Sequence, residues 1–280
     1  MTIVVTGATG KLGRLAVEAL LERGVPAAEI VATGRSTEKL SHFADRGITV
    51  RRADFDDPAS LAAAFAGADR LLLVSGNEVG QRPAQHGRAI DAAKAAGVQL
   101  IAYTSIPYAD RATSLLSQEH LATEKLLAAS GVPFVLLRNS WYLENYTEQL
   151  PVFLEHGIAG SARDGRVSAA ARRDYAEAAA VVLIEDGHAG AVYELGGAAF
   201  TLPELAAAVT AATGTQVSYT DVPVETYEQI LVGAGLPAAM AHILADADRG
   251  LAEGELFVDS GHLEKLMGRP ATTLAEALAN

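Results

Sequence analysis

Residues 2–13 read TIVVTGATGKLG. A short β-branched run ends at Thr6, glycines follow at positions 7, 10 and 13, and Leu12, Leu15, Ala16, Ala19 and Leu20 then recur at helical spacing. Each glycine has its own task in such a strand-to-helix turn. Gly7 permits the tight turn out of the strand, Gly10 lets a phosphate approach the backbone, and Gly13 lets the first helix pack closely. Thr9, Lys11 and Leu12 complete the loop, where free N–H groups and the helix dipole favour an anion. A tight turn without a ligand produces the same triplet, but a strand before it and an amphipathic helix after it favour a nucleotide.

Working outward, short apolar runs alternate with helical patterns as βα units on a parallel sheet do. Strands are expected at residues 2–6, 30–33, 48–50, 71–74, 100–104 and 134–137. Helices are expected between them, one begun by the Asp57-Pro58 cap and running to Phe65, others at 83–96 and 118–129. This is the pattern of an α/β fold, a Rossmann-type doubly wound parallel sheet over residues 1–140. Residues 141–280 read as a smaller, mainly helical α/β region on the substrate side, with a strand near 191–195 able to rejoin the first sheet. Thr201-Leu202-Pro203-Glu204 has capping-box spacing and opens a helix to about Thr213, with a strand at 217–220 after it.

Bulk properties exclude several classes. The 280 residues carry a formal charge of -12, which argues against a nucleic-acid surface. The chain has no cysteine, so disulfides and thiolate chemistry are excluded. The longest apolar stretches, such as AEAAAVVLIE, are too short to span a bilayer, and the first residues lack signal-peptide features, so a cytoplasmic protein is expected. The seven histidines show no metal-ligand spacing, and no metal is expected.

The end of the second strand bears on the choice of nucleotide. An NAD site usually places a carboxylate there for the ribose 2′-hydroxyl. Residues 31–39 read VATGRSTEK, with Gly34 leaving room and Arg35 offering a planar fork to a 2′-phosphate. NADP(H) is therefore preferred and NAD(H) remains possible, the plainer alternative being that Arg35 is a solvated charge. Asp54 and Phe55 follow the third strand, where a carboxylate can accept from an adenine amino group and a ring can lie alongside; the alternative for Asp54 is a helix cap, a role Asp57 fills better. Ser75 ends the fourth strand, and Thr104 and Ser105 end the fifth, at the sheet edge where ligands bind in open α/β folds. Short-chain dehydrogenases pair a tyrosine with a lysine four residues on. Here LATEK puts Leu121 at the tyrosine position and Lys125 at the lysine, so ordinary alcohol chemistry is not expected. Lys125 can still hold the nicotinamide-ribose hydroxyls, or simply face solvent.

The stretches TGATGKLG, EVGQRPAQH, AAKAAGVQLIAYTS, EHLATEKLLAASG, LLRNSWYLENY and RRDYAEAAA make the chain resemble the NmrA-like branch of the atypical short-chain dehydrogenase/reductases, and within it the type 2 NAD(P)H:quinone oxidoreductases. The resemblance spans nearly the whole chain. It implies a cleft between a Rossmann domain and a smaller C-terminal domain, and direct hydride transfer from NADPH to a small-molecule quinone, without flavin. It implies a polar anchor at Asn145 beside the nicotinamide or the quinone oxygen, and an aromatic wall of Trp141 and Tyr142, whose plainer role is core packing. Gln81 and His86 would gate the site, although a histidine such as His86 is more often a structural helix residue, and Ser105 would touch substrate or nicotinamide. Two alternatives stay open: a reductase of another flat electrophile such as a triphenylmethane dye, and an NADP-sensing regulator without turnover.

Overall fold

The computed structural model describes residues 1–279. The first half lays down six strands, β1 (Ile3–Val5), β2 (Ile30–Gly34), β3 (Thr49–Arg52), β4 (Arg70–Leu73), β5 (Leu100–Ser105) and β6 (Phe134–Asn139). The second half adds β7 (Ile158–Gly160), β8 (Arg166–Val167), β9 (Val192–Leu195), β10 (Phe200–Thr201) and β11 (Tyr219–Asp221). Seven of these form one sheet in the order β3-β2-β1-β4-β5-β6-β9, every pair parallel. Ile3 is paired with Ile30 on one side and Arg70 on the other, so the order reverses around β1.

Helices cover both faces, which explains why β1 is apolar throughout and why β1 and β2 are fully buried. Lys11–Glu22 and Arg172–Ile184 pack on each other over one face, burying Val17, Leu20, Ala176 and Leu183. Pro58–Phe65, Arg82–Ala95 and Leu115–Ser130 cover the other, burying Phe65, Ile90 and Leu127. The strand expected near 191–195 does return, as β9 beside β6, and the helix Arg172–Ile184 comes back with it. Residues 141–279 are therefore shared between the main sheet and a separate third core. That core gathers Phe153, Ile158, Phe200, Leu205, Val209 and Leu251 under two small sheets, antiparallel β8–β10 and parallel β7–β11. The strands at 158–160, 166–167 and 200–201 were not anticipated, being too short to display a period-two pattern. The capping box is present, with Glu204 N donating to Thr201 Oγ1 at 3.2 Å and Thr201 N donating to Glu204 Oε2 at 2.7 Å.

The opening turn is built as its glycines imply. Gly7 has φ +62°, and Ala8 N donates to Thr33 O at 2.8 Å, tying the turn to β2. A Cβ on Gly13 would lie 2.3 Å from Gly7 O, whereas one on Gly10 would lie 3.2 Å from the same oxygen. Gly13→Ala is therefore expected to destabilise the protein by about 2–3 kcal/mol, with Gly10→Ala costing clearly less, as read by urea denaturation of the two variants.

Candidate active site

A cleft of about 480 Å³ opens at the carboxyl ends of the central strands, where the strand order reverses. The turn after β1 contributes Gly7, Thr9, Gly10, Lys11, Leu12 and Gly13. Gly34 and Arg35 arrive from the end of β2, Asp54 and Phe55 from behind β3, and Ser75, Gly76 and Glu78 from behind β4. Arg82 and Gln85 project from the helix Arg82–Ala95, and Tyr142 and Arg172 close the cleft from the second half of the chain.

At the glycine turn, the helix Lys11–Glu22 starts from Gly10 with no side chain capping it, so its first N–H groups are left for an anion. Gly34 is needed for the same cradle, because a Cβ there would meet Thr9 Cγ2 at 2.6 Å. Arg35 is exposed and its Nη1 donates to Glu78 Oε1 at 2.9 Å. Asp54 borders the cleft, but its carboxylate accepts from Arg52 Nη2 and from Asp56 N, both at 3.1 Å. The helix cap falls to Asp57, which accepts from Ser60 N at 3.2 Å.

Buried groups fix the floor. Ser75 N donates to Thr104 Oγ1 at 2.9 Å, so Thr104 lies beneath the cleft and holds its wall from behind. Gly76 N donates to His86 Nε2 at 3.0 Å, and Arg82 Nε donates to Gly76 O at 2.5 Å. A backbone N–H can only donate, so His86 Nε2 accepts and its Nδ1 carries the hydrogen towards Thr123 Oγ1, 2.9 Å away. His86 is completely buried, which makes it a support of the floor rather than a gate. Gln81, expected at the entrance, precedes this helix and is exposed outside the cleft; Gln85, one turn on, faces in.

The helix Leu115–Ser130 turns its inner row one residue away from the expected pair. His120 and Glu124 are buried, Leu121 is half-buried and Lys125 is exposed, so Lys125 does not join the cleft-lining residues. A four-residue spacing fits both frames, and only packing tells them apart. His120 Nδ1 and Tyr103 Oη are 2.7 Å apart. Glu124 takes a two-pronged grip from Arg138, at 2.9 and 2.7 Å, and accepts from Ser105 Oγ at 2.6 Å. Ser105 is thus spent on a buried network.

On the far side, the Arg172 guanidinium lies 4.9 Å over the Tyr142 ring, and Tyr142 meets Tyr175 edge-on. Arg172 Nη2 donates to Asn145 Oδ1 at 2.7 Å, and Nη1 donates to Glu148 Oε1 at 3.0 Å. Asn145 is half-buried beside Arg172, which itself lines the cleft. Trp141 is half-buried against the third core. Arg82, Gln85, Glu78 and Arg172 were missed by sequence reasoning. The only signal for Arg82 and Gln85 was their i,i+3 spacing on one helix face.

The NmrA-like family model matches residues 1–277. The chain belongs to the NmrA-like family. It is 50% identical to quinone oxidoreductase 2 of Escherichia coli (strain K12), over 99% of this chain and 98% of that protein. The crystal structure of an Escherichia coli NADPH-dependent quinone oxidoreductase complexed with NADPH is similar with a TM-score of 0.96 at 49% identity, covering 99% of this chain and 98% of that one. The Citrobacter sp. triphenylmethane reductase complexed with NADP(H) is similar with a TM-score of 0.93 at 38% identity, covering 99% of both chains. Among the described residues of this NmrA-like protein, no helix is long and apolar enough to cross a membrane.

The buried histidines give the fold a defined acid response. Burial, reinforced by the neighbouring Arg82 charge, pushes His86 down to about 3, and His120 is lowered for the same reasons. The unfolded chain takes up protons near pH 6.5 that the native state refuses until far lower pH. His86 therefore removes about 1.4 kcal/mol of stability per unit as pH falls from 6.5 towards 3, and His120 acts in the same direction. Urea denaturation at pH 7 and pH 5 should show this loss, and His86→Gln, although less stable at pH 7, should show a shallower dependence.

Proposed function

We propose that this protein reduces quinones to hydroquinones by direct hydride transfer from NADPH held in the cleft, without flavin. One observation carries the reading: the uncapped helix N-terminus at Gly10 faces a cleft whose adenosine end carries Arg35 in place of the usual strand-end carboxylate. The likeness to quinone oxidoreductase 2 supports the acceptor. Gly7, Thr9, Gly10, Lys11, Leu12 and Gly13 would hold the diphosphate, Arg35 the 2′-phosphate, and Asp54, Phe55 and Ser75 the adenine and its neighbouring wall, with Thr104 bracing Ser75. Bound NADPH supplies the hydride.

The protein's own part is orientation and shielding. Tyr142, pinned between Arg172 and Tyr175, offers a rigid aromatic face to a flat acceptor. Arg172 can only donate, so the Asn145 amide must turn Oδ1 towards it and present Nδ2 as a donor on the other side. A donor there would stabilise the negative oxygen that forms as a quinone accepts hydride. Delocalisation in the hydroquinone anion makes a dedicated strong acid unnecessary, which agrees with a leucine at position 121. Trp141 would back this wall from the third core.

Nicotinamide absorbance, followed with a simple benzoquinone or naphthoquinone, tests the assignment. Asn145→Ala should lower kcat about 10- to 100-fold with NADP⁺ affinity unchanged. Turnover of triphenylmethane dyes but of no quinone would move the substrate to the second class. Tight NADP⁺ binding with no turnover of either would indicate a sensor. Arg35→Glu should weaken NADPH by about 1–2 kcal/mol more than NADH, an exposed contact being discounted for solvent screening; equal losses would remove Arg35 from the 2′-phosphate site.

A further inference from the structure

The end of β2 carries Arg35 with no carboxylate beside it until Glu38, which is why the 2′-substituent pocket reads as one for phosphate. A carboxylate nevertheless reaches Arg35 from across the cleft. Glu78, in the segment after β4, accepts from Arg35 Nη1 through Oε1 at 2.9 Å. Its other oxygen, Oε2, accepts from Gln85 Nε2 at 3.0 Å. Gln85 is only 3% exposed, and the same amide nitrogen donates to Asp56 Oδ2 at 3.1 Å. Arg35, Glu78 and Gln85 all line the one cleft. Glu78 is therefore anchored at both oxygens, one partner exposed, the other buried.

We propose that Glu78 is the specificity-determining residue of the cofactor's adenosine-ribose subsite. It is the counter-ion that a 2′-phosphate must displace from Arg35, and the acceptor that a free 2′-hydroxyl uses in place of the missing strand-end carboxylate. This rests on the reading that the cleft takes NADP(H). A phosphate carries nearly two negative charges at neutral pH and competes with Glu78 for the same guanidinium, so the carboxylate both blocks and repels it. A 2′-hydroxyl carries no charge, leaves the Arg35–Glu78 pair intact, and donates to an oxygen whose position Gln85 already sets. The single carboxylate thus holds the preference for NADPH below what Arg35 alone would give, and keeps NADH usable.

Calorimetric titration of the whole protein with NADP⁺ and with NAD⁺ reads the two affinities without turnover. Glu78→Gln should bind NADP⁺ about five- to tenfold more tightly than the parent protein, a modest factor because the pair is solvent-exposed. Glu78→Ala, which removes the acceptor along with the charge, should also bind NADP⁺ more tightly and should bind NAD⁺ about two- to fivefold more weakly. Both variants change a half-exposed side chain, and their unchanged melting curves would confirm the fold. Affinities that move equally for the two nucleotides, or not at all, overturn the role of Glu78 while leaving the cleft's assignment standing. Failure of the parent protein to bind either nucleotide overturns that assignment and this proposal with it.

Discussion

Gly13 stands so close to the carbonyl of Gly7 that no side chain could be fitted between the first helix and the turn that precedes it. That approach sets the pitch at which the helix leaves the sheet, and it aims the uncapped N–H groups after Gly10 into the cleft. The same turn is tied to β2 through Ala8 N and Thr33 O, and Thr9 packs into the space that Gly34 leaves at the end of that strand. Anion cradle and adenosine end are thus one rigid unit. A displacement of the helix would therefore move Arg35 along with the N–H groups after Gly10.

The opposite wall is held by polar groups removed from water, and each is arranged so that burial does not leave a charge or donor unpaired. His86 stays neutral and serves as the acceptor for Gly76 N, which fixes its tautomer. Arg82 takes the carbonyl of the same residue and is itself paired with Glu119 at 2.9 Å. Deeper in, burial works against the Arg138 charge, but the hydrogen bonds and charges of Glu124 and Glu194 outweigh it and keep the guanidinium firmly protonated. Removing Glu124 alone would strand that cation, so the network behaves as a set rather than as separable contacts.

The parts of this molecule legible in the sequence are those governed by local rules. The glycine turn, the Asp57 cap, the Thr201–Glu204 box and the alternation of strand and helix are short-range patterns, and each is found where the spacing put it. Strand ends slipped by a residue or more, as at Thr49–Arg52, because edge position and hydrogen bonding decide them. The frame of the helix Leu115–Ser130 was ambiguous for a physical reason. Leu121 with Lys125 and His120 with Glu124 share a spacing, and only burial against β5 and β6 selects the second. Glu78 and Arg172 were invisible because their importance comes from partners 43 and 27 residues away, at Arg35 and Asn145.

Those long-range partners also join the two halves of the chain. Lys11, inside the glycine turn, donates to Glu148 Oε2 at 2.5 Å and holds that carboxyl below the usual carboxylate range. Glu148 passes the link to Arg172 at 3.0 Å, and Arg172 passes it to Asn145 at 2.7 Å. Exposed pairs such as Lys11–Glu148 add little stability, so the value of the chain lies in geometry. A dinucleotide phosphate competing for Lys11 would loosen its hold on Glu148 and leave that carboxylate to Arg172 alone. The buried guanidinium is held over Tyr142 and bonded to Asn145 Oδ1 as well, which sets the direction of that amide. The Asn145 amide is therefore oriented by the cation beside it rather than by the exposed pair at Lys11.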